Sequence, residues 1–361
     1  METYALGGPE GRWVFIRDRL LPPDLAFEGF ATRVSINAYL SWRNHSMPLP
    51  TDEKIVALSN QILQKFEALF GAHPGFRPAH AKGIMLNGSF TPTPESASLS
   101  KAPHLNRPST PATVRFSNST GIPVIPDNDP NADPRGCAIR FYLADRVHTD
   151  IVAHSTNCFP ARTGQDFLEF LTAITATDLT HIPGSPLEKY LGSHPATLAF
   201  VQAPKPPASS FARETYFGLT AVRFINKDGV SRYGRYRILP EAGNDHLEAA
   251  AAAAKEPNYL FDEIEHRIAN EPVKFRVVAQ LAEDGDTVND VTVQWPESRK
   301  QVELGKLSFT EPVLDEAHEQ KQIIFDPIPR VDGIDASDDP LLELRAAVYL
   351  LSGRRRRSAP E

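Results

Sequence analysis

Apolar side chains recur three and four positions apart between residues 51 and 71, which is the spacing of one face of an α-helix. Thr51 can cap the start of this helix, and Gly71 can end it. The pattern therefore predicts a long helix with one buried face. The repeating apolar positions are Ile55, Leu58, Ile62, Phe66 and Leu69.

Short strands are predicted from about residue 78 to residue 155, where the chain is rich in β-branched and aromatic residues. The first runs are GIMLNGSF, TPATVRFSN and RGCAIRFYLAD, and Pro, Asn, Asp and Gly separate them. Further strands are predicted at TYFGLTAVRFINKDGVSRYGRYRILP, VKFRVVAQLAE and TVQWP. The NKDG sequence at 226–229 is typical of a hairpin turn, so neighbouring strands are expected to run antiparallel.

Helical patterns lie between and after the strands. The helical runs are DFLEFLTAITATDL, SPLEKYLGSHPATLAFVQ, LEAAAAAAKEPNYLFDEIEHRIAN and DDPLLELRAAVYLLSGRRRRS. In the last run Asp338 or Asp339 can cap the helix and Pro340 suits its first turn. Gly353 is placed to end it. This order, without regular βαβ alternation, predicts an α+β fold. We expect one closed antiparallel β-barrel surrounded by helices, because closure removes exposed strand edges.

Residues 1–46 differ from the rest of the chain in their mixed pattern, with Pro22 and Pro23 and two short amphipathic stretches. We expect residues 1–46 to form an N-terminal arm and residues 47–361 to form one domain. Whether the protein begins at its first residue or at Met47 is left open.

The composition of the chain is that of a soluble globular protein, with 361 residues, 41% hydrophobic and 23% charged. A net charge of −7 does not favour nucleic acid or an anionic membrane as a partner. No apolar run is long enough to predict a membrane span, and no secretory signal is expected. Cys137 and Cys158 are too few for a disulfide framework, so a reducing, cytoplasmic location is expected.

Five short motifs point to a function. They are HAKG at 80–83, VRFS at 114–117, DPRGCAIRFY at 133–142, DIV at 150–152 and RAAVY at 345–349. Taken alone, a histidine beside an apolar run or a tyrosine on an amphipathic helix is more often structural. In this order, however, the combination resembles the haem catalase superfamily from about Met47 to Arg357. Within that superfamily the chain is most similar to the small catalase-like, or catalase-related, haem peroxidases.

The resemblance implies a distal site around His80, whose ring would move a proton between the two oxygens of a bound peroxide. Ser117 matches the serine that holds this histidine in one tautomer. Large catalases carry a distal asparagine in the motif DxVGNNTP, and the corresponding stretch here is DIVAHSTNCF. We expect Ser155 to take the place of the amide as a second catalytic group. His148 and His154 are expected to be polar residues at the rim of the pocket.

The resemblance also implies a haem b cofactor whose iron is bound by Tyr349 as a phenolate. Arg345 lies one helical turn before Tyr349 and would donate hydrogen bonds to the phenolate oxygen. The placement of Arg356 as a cofactor residue is weaker if the helix ends at Gly353. The cofactor-binding positions that match the family are Arg77, Arg115 and Arg356 for the haem propionates, and Phe159 for packing on the distal side.

The resulting functional prediction is a haem peroxidase that reduces hydrogen peroxide or organic hydroperoxides with a small organic reductant and has weak catalase activity. Three alternatives stay open: a hydroperoxide rearrangement like that of the catalase-related allene oxide synthases, another specialised biosynthetic haem enzyme, and a haem-binding protein without turnover. The expected partners are peroxide and the reductant, and the chain is expected to form a homo-oligomer. Cys158 is expected to be a buried thiol rather than a redox cysteine.

Overall fold

A computed structural model gives the structure of the protein, of which residues 5–7, 13–15 and 50–360 are described. Its first unit, Met1–His45, contains two short strands that pair antiparallel, β1 (Ala5–Gly7) and β2 (Trp13–Phe15). The remainder of the arm predicted at the N-terminus lies outside the described residues, and its boundary stays a prediction.

The second unit, Ser46–Glu361, is built around eight antiparallel strands that close into a barrel. The strands are β3 (Gly83–Pro92), β4 (Thr110–Ser117), β5 (Gly136–Ala144), β6 (Val147–His154), β7 (Tyr216–Ile225), β8 (Ser231–Pro240), β9 (Val273–Leu281) and β10 (Gln301–Pro312). They pair in the order β7-β6-β5-β4-β3-β10-β9-β8, and β8 returns to β7. A further strand, β11 (Ile334–Ala336), pairs with β7 outside the ring. The predicted closed antiparallel barrel is confirmed.

One face of each barrel strand points inward and forms the main core, because successive side chains of a strand alternate between its two faces. On β3 and β4 the inward residues Ile84, Leu86, Val114 and Phe116 are fully buried in this core. The alternate positions, such as Arg115, face outward. Arg115 and Ser117 of β4 therefore lie on the outer face of the barrel wall.

Helix α1 (Glu53–Phe70) forms over the predicted segment, but Asp52 caps it rather than Thr51. The Asp52 carboxylate accepts hydrogen bonds from two backbone N–H groups of the first turn. Aspartate is a strong N-cap and stands directly before the first helical residue, which explains the shift by one position. Gly71 ends the helix with φ 84°, as predicted.

The C-terminal helix α9 (Leu341–Ser358) continues through Gly353, where the sequence predicted its end. Gly353 is buried, and a Cβ at this position would overlap the side chain of Ile324. The glycine therefore allows close packing and does not terminate the helix. At the other end, Asp339 accepts a hydrogen bond from the N–H of Leu341 and so acts near the predicted cap position.

The remaining helices include two that together replace the single helix predicted for the alanine-rich run. They are α2 (Ser96–Leu99), α3 (Gly164–Thr175), α4 (Pro186–Ser193), α5 (Pro195–Gln202), α6 (Ala249–Ala253), α7 (Tyr259–Asn270) and α8 (Glu316–Gln322). Pro257 lies between α6 and α7, and a proline interrupts the helical hydrogen-bond pattern. Among the described residues, no helix is both long enough and apolar enough to cross a membrane.

Two strand assignments from the sequence differ from the structure. The TVQWP run forms turns and irregular backbone, because Trp295 packs under the guanidinium of Arg235 and donates its indole N–H to Thr287. The prediction of a strand there is wrong. Strand β10, which completes the barrel between β3 and β9, was not predicted. Its position depends on pairing with both neighbours, which a local pattern does not encode.

Replacing Gly88 with alanine is expected to destabilise the barrel. Strand β3 approaches β10 so closely here that a Cβ would lie 2.5 Å from Phe309 Cα and overlap the carbonyl oxygen of Ser308. Because two paired backbones would have to move apart, the free energy of unfolding should fall by about 1–3 kcal/mol or more. Chemical denaturation of both proteins measures this difference.

The matched control is Gly192→Ala in α4, where an added Cβ meets nothing within 4 Å. The same substitution should leave stability unchanged or raise it by about 0.4–1 kcal/mol, because alanine favours the helix. Equal losses of stability in the two variants would contradict the close approach of β3 and β10.

Candidate functional site

The site is built on a row of paired residues that crosses five strands of the barrel wall. Gly83 pairs with Ser117, Ser117 with Gly136, Gly136 with His154, and His154 with Phe217. Directly paired residues share one face of a sheet, and the residues next to them along each strand fill the core, so this row faces outward. It places Ser117 and His154 on either side of Gly136, which has no side chain.

His80 fills the space above Gly136. Its Nδ1 lies 3.1 Å from Ser117 Oγ, and its backbone N–H donates to the carbonyl of Ser119 at 2.9 Å. A Cβ on Gly136 would lie 2.8 Å from His80 Nδ1 and would overlap Ser117 Oγ. Glycine is therefore required here for the ring to reach the serine. His80 itself has φ 58°, a conformation that a non-glycine residue keeps only when its surroundings enforce it.

The surroundings of His80 keep its imidazole neutral. Burial, followed by the nearby guanidiniums of Arg115 and Arg77, lowers its pKa to about 4. A hydrogen bond with the backbone of Asn118 opposes the shift only in part. At neutral pH the ring is therefore able to accept a proton, as the sequence predicts for a distal base.

His154 and Ser155 are placed differently from the sequence expectation. Ser155 Oγ accepts a hydrogen bond at 2.9 Å from the backbone N–H of Arg135, the residue before β5, and its role as a second catalytic group stays a prediction. His154 lies in the outward row, and burial, His80 and Arg345 lower its pKa to about 3. The outward row therefore brings Ser117 to one side of His80 and His154, predicted as a rim residue, to the other. Neighbouring residues of a strand point to opposite faces of the sheet, so an assignment shifted by one residue puts the side chain on the wrong face. The resemblance of DIVAHSTNCF to the catalase motif did not show which of these two residues faces His80.

Tyr349 and Arg345 form the part of the site on α9. Nε and Nη2 of Arg345 lie 3.4 and 3.3 Å from the Tyr349 hydroxyl oxygen and donate to it, as expected for residues one helical turn apart. Nη1 of Arg345 donates to Thr220 Oγ1 on β7 at 3.1 Å. Strands β6 and β7 pair only at His154, and Arg345 lines the small cleft that separates them further on. The α9 pair is therefore anchored to the barrel wall.

Asp339 is a further buried residue of this region and was considered in the sequence only as a helix cap. It is 5% exposed, and burial raises its pKa, while the N–H of Leu341 and the positive charge of Arg345 act in the opposite direction. Asp339 interacts electrostatically with the Arg345 guanidinium, although no direct ion pair joins the two side chains among the described residues. Its position at the start of the helix that carries Arg345 and Tyr349 was the only sequence signal for this role.

The three arginines predicted to bind propionates lie together at the end of α8. Arg77, Arg115 and Arg356 form the arginine cluster. Arg77 and Arg356 both donate to the carbonyl of Ile323, at 3.1 and 2.6 Å. Arg115 donates from Nε to the side-chain oxygen of Gln320 at 2.8 Å. Because α9 does not end at Gly353, Arg356 stays on the same helix as Tyr349 and reaches this cluster.

The arginine cluster is a buried concentration of positive charge. Arg115 is 3% exposed and Arg356 4%, and within residues 50–360 none of the three guanidiniums forms an ion pair with a carboxylate. Burial lowers the pKa of Arg115 to about 9 and that of Arg356 to about 10. Burial and the other two guanidiniums also lower the pKa of Arg77. Buried cations require an anionic partner, and guanidiniums bind carboxylates in a bidentate manner, so the cluster suits a ligand with carboxylate groups.

A group of apolar side chains lies next to His154 and Tyr349. Phe159 is half-buried and packs against Phe167, with ring centroids 5.4 Å apart. Phe66 of α1, Phe217 of β7 and Val348 of α9 belong to the same hydrophobic cluster. These residues provide the apolar environment that a large aromatic ligand needs.

The two cysteines and the remaining titratable groups do not provide a second metal-binding arrangement. Cys137 and Cys158 are both buried and free, in agreement with the expectation for Cys158. Across the described part of the chain, no group of three or more His, Cys, Asp or Glu side chains is arranged to hold a metal ion.

Comparison with known proteins agrees with this geometry. A family model described as catalase matches residues 60–360. The chain is 35% identical over 297 residues to a catalase-related peroxidase of Mycolicibacterium paratuberculosis, covering 81% of this chain and 93% of that protein. It is 32% identical over 302 residues to a catalase-related peroxidase of Synechococcus elongatus, covering 82% and 88% of the two chains.

The fold is shared with solved structures of lower identity. A bacterial catalase structure superposes with a TM-score of 0.70 at 21% identity, covering 94% of this chain and 67% of that one. Catalase A from Saccharomyces cerevisiae gives a TM-score of 0.69 at 20% identity, covering 98% and 70%. With a matching family model over most of its length, two well-covered relatives and the closed barrel, the chain belongs to the catalase family of oxidoreductases.

Proposed function

We propose that this chain is a peroxidase that binds haem b and reduces hydrogen peroxide or organic hydroperoxides with a small organic reductant, with little release of oxygen. The observation that carries the proposal is the arginine cluster, which adjoins His80 through Arg77 and Arg115 and the Tyr349 helix through Arg356. The likeness to two catalase-related peroxidases, each covered over most of its length, supports the peroxidase activity.

The residues present fit a haem. The arginine cluster offers three guanidiniums, of which Arg115 and Arg356 are buried, and none forms an ion pair with a carboxylate within residues 50–360; this matches the two propionates of the cofactor. Tyr349 offers a phenol oxygen that already accepts hydrogen bonds from Arg345. Phe159 and its apolar neighbours would pack against the macrocycle. When bound, haem supplies a redox-active iron and an aromatic system that stores oxidising equivalents.

His80 performs the proton transfer in the proposed reaction. With Nδ1–H donated to Ser117 Oγ, Nε2 keeps its lone pair and can take the proton from one oxygen of a peroxide. The same nitrogen then gives that proton to the other oxygen, so that water or an alcohol leaves. Because the pKa of His80 is lowered to about 4, its neutral form is present at neutral pH and the imidazolium returns its proton readily.

On helix α9, Arg345 would support the binding of ferric iron through the oxygen of Tyr349. Two of its nitrogens donate to that oxygen and the third donates to Thr220, so the guanidinium cannot swing away without losing its contact with the barrel. A phenolate is the form of tyrosine that binds ferric iron.

Replacing His80 with alanine is expected to leave haem bound and to slow the reaction with hydrogen peroxide by about 10²–10⁴-fold. Stopped-flow absorption measures the rate, and Ser117→Ala, which keeps the ring but removes its partner, should show a smaller loss. An unchanged rate in His80→Ala would place the acid–base group elsewhere.

The pH dependence of the same rate provides a separate test. A pKa lowered to about 4 means that the neutral, proton-accepting form dominates above that value and is lost below it. The rate should therefore be flat from neutral pH down to about pH 5 and should fall on further acidification. A decline centred near the ordinary histidine value of about 6.5 would contradict the buried, cation-flanked environment.

Tyr349→Phe removes the oxygen that would bind the iron while keeping the aromatic ring. We expect the purified variant to lose haem or to lose the absorption bands of a ferric phenolate complex, whereas the control Tyr233→Phe on β8 should keep both. The pyridine haemochrome spectrum of the wild type identifies the haem type. An unchanged spectrum in Tyr349→Phe would refute this ligand.

Oxygen release and dye oxidation separate the proposed activity from its alternatives. Two imidazoles, those of His80 and His154, lie beside Gly136, and no residue of the described outward row carries a carboxamide. We therefore expect slow oxygen release, measured with an oxygen electrode, and faster oxidation of an organic dye. Rapid oxygen release with negligible dye oxidation would contradict the proposal. Conversion of a fatty-acid hydroperoxide without any reductant would favour rearrangement instead.

A further inference from the structure

We propose that His154 is a second distal group, which donates a hydrogen bond from its Nε2–H to an oxygen of the peroxide held beside His80. This inference rests on the proposed function, because it concerns the ligand on which His80 acts. It assigns to His154 a direct contact with the substrate, in a position where the sequence predicted a rim residue.

The first argument is the geometry of the sheet. Ser117, Gly136 and His154 are directly paired neighbours on β4, β5 and β6, and adjacent strands lie about 4.8 Å apart. His80 stands over the glycine in the middle, since an added Cβ there would lie 2.8 Å from its Nδ1. His80 therefore has Ser117 on one side and His154 on the other. The serine holds one ring nitrogen of His80, which leaves the opposite side of the ring to face His154.

The second argument is the tautomer of His154. The backbone N–H of Thr156 points at His154 Nδ1, at 3.4 Å, so Nδ1 acts as an acceptor. The ring proton is thereby placed on Nε2, which is the outer nitrogen of the side chain. Burial together with the nearby His80 and Arg345 keeps the ring neutral, with a pKa lowered to about 3. A neutral ring with this tautomer is a hydrogen-bond donor at Nε2 across the physiological pH range.

The two histidines then have complementary roles towards a peroxide. His80 Nε2 accepts the proton of one oxygen and later returns it to the other, while His154 Nε2–H donates a hydrogen bond and keeps its own proton throughout. No additional oxidant, reductant or proton source is needed. An imidazole is also wider than a carboxamide, so His154 shapes the distal pocket as well as polarising the ligand.

Neighbouring polar residues do not provide this donor. Ser155 follows His154 directly and so lies off the outward face that His154 shares with Gly136, and its Oγ accepts the N–H of Arg135 at 2.9 Å. His148 shares the face of His154 on β6, but it lies six residues away, is partly exposed and is 3.8 Å from Asp150. This makes His148 a matched control on the same strand.

Fluoride binding to the haem-loaded protein tests the inference without depending on turnover. Fluoride is a small anion that binds ferric haem and accepts hydrogen bonds from distal groups. We expect His154→Leu to raise the fluoride dissociation constant by about 10-fold or more, because a hydrogen bond to a charged acceptor is lost. His154→Gln, whose amide nitrogen occupies the ε position, should stay within a few-fold of wild type. His148→Leu should have no effect.

The pattern across the variants distinguishes a donor from a merely structural ring. Rescue by Gln, with a weaker effect of Asn because its nitrogen lies one bond short, supports the donor. If His154→Leu does not fold, the comparison of Gln with Asn still decides the question. Equal fluoride affinities in wild type, Gln and Asn variants, or in wild type and Leu, would overturn the inference.

Nitrogen NMR of the full-length chain gives a readout that needs no haem. The ¹⁵N shifts of His154 should show a protonated Nε2 and an unprotonated Nδ1 at neutral pH, and the opposite tautomer would overturn the inference. The two proposals also fail separately. A haem-loaded wild type that reacts with peroxide through His80, with unchanged fluoride binding in His154→Leu, retains the proposed function and refutes the role of His154. Absence of haem uptake refutes the proposed function, and the NMR result still decides the tautomer.

Discussion

The space above Gly136 is the constraint on which the rest of the site depends. In a closed barrel wall, side chains that face outward normally cover the strands, and a missing Cβ leaves a place for a ring from a neighbouring segment. His80 takes that place, held in a left-handed backbone conformation and bonded to Ser117. Because the three strands β4, β5 and β6 are in fixed register, the same glycine also determines which residue stands on the far side of the ring, namely His154.

The positive charges of the arginine cluster affect both His80 and the binding of an anionic ligand. Burial, followed by the positive charges of Arg115 and Arg77, lowers the pKa of His80, so the cations that suit a carboxylate-bearing cofactor also contribute to keeping this ring neutral. Concentrating three guanidiniums away from water opposes folding until an anion joins them. Binding of such a ligand should therefore stabilise the folded chain, since a ligand that binds only the native state shifts the folding equilibrium. Cofactor binding and stability are linked through these arginines.

Helix α9 carries residues of both the Tyr349 region and the arginine cluster. It carries Arg345 and Tyr349 near its middle and Arg356 near its end, and the absence of a side chain at Gly353 lets it lie against Ile324. Arg345 reaches Thr220 on β7, while Arg356 reaches the carbonyl of Ile323. The helix is thus fixed to the barrel wall at one point and to the segment after α8 at another.

The sequence by itself determined the long first helix, the antiparallel barrel and the motifs around His80, Ser117 and Tyr349, because hydrophobic spacing and short motifs are local properties of the chain. It did not determine strand β10, whose place depends on two distant partners. It also misplaced the end of α9 at Gly353, since a glycine that ends a helix and one that permits close packing look identical in a sequence. Only the tertiary structure places His154 beside Gly136 and His80, because the face on which a strand residue points is set by register across the sheet and not by its neighbours in the chain.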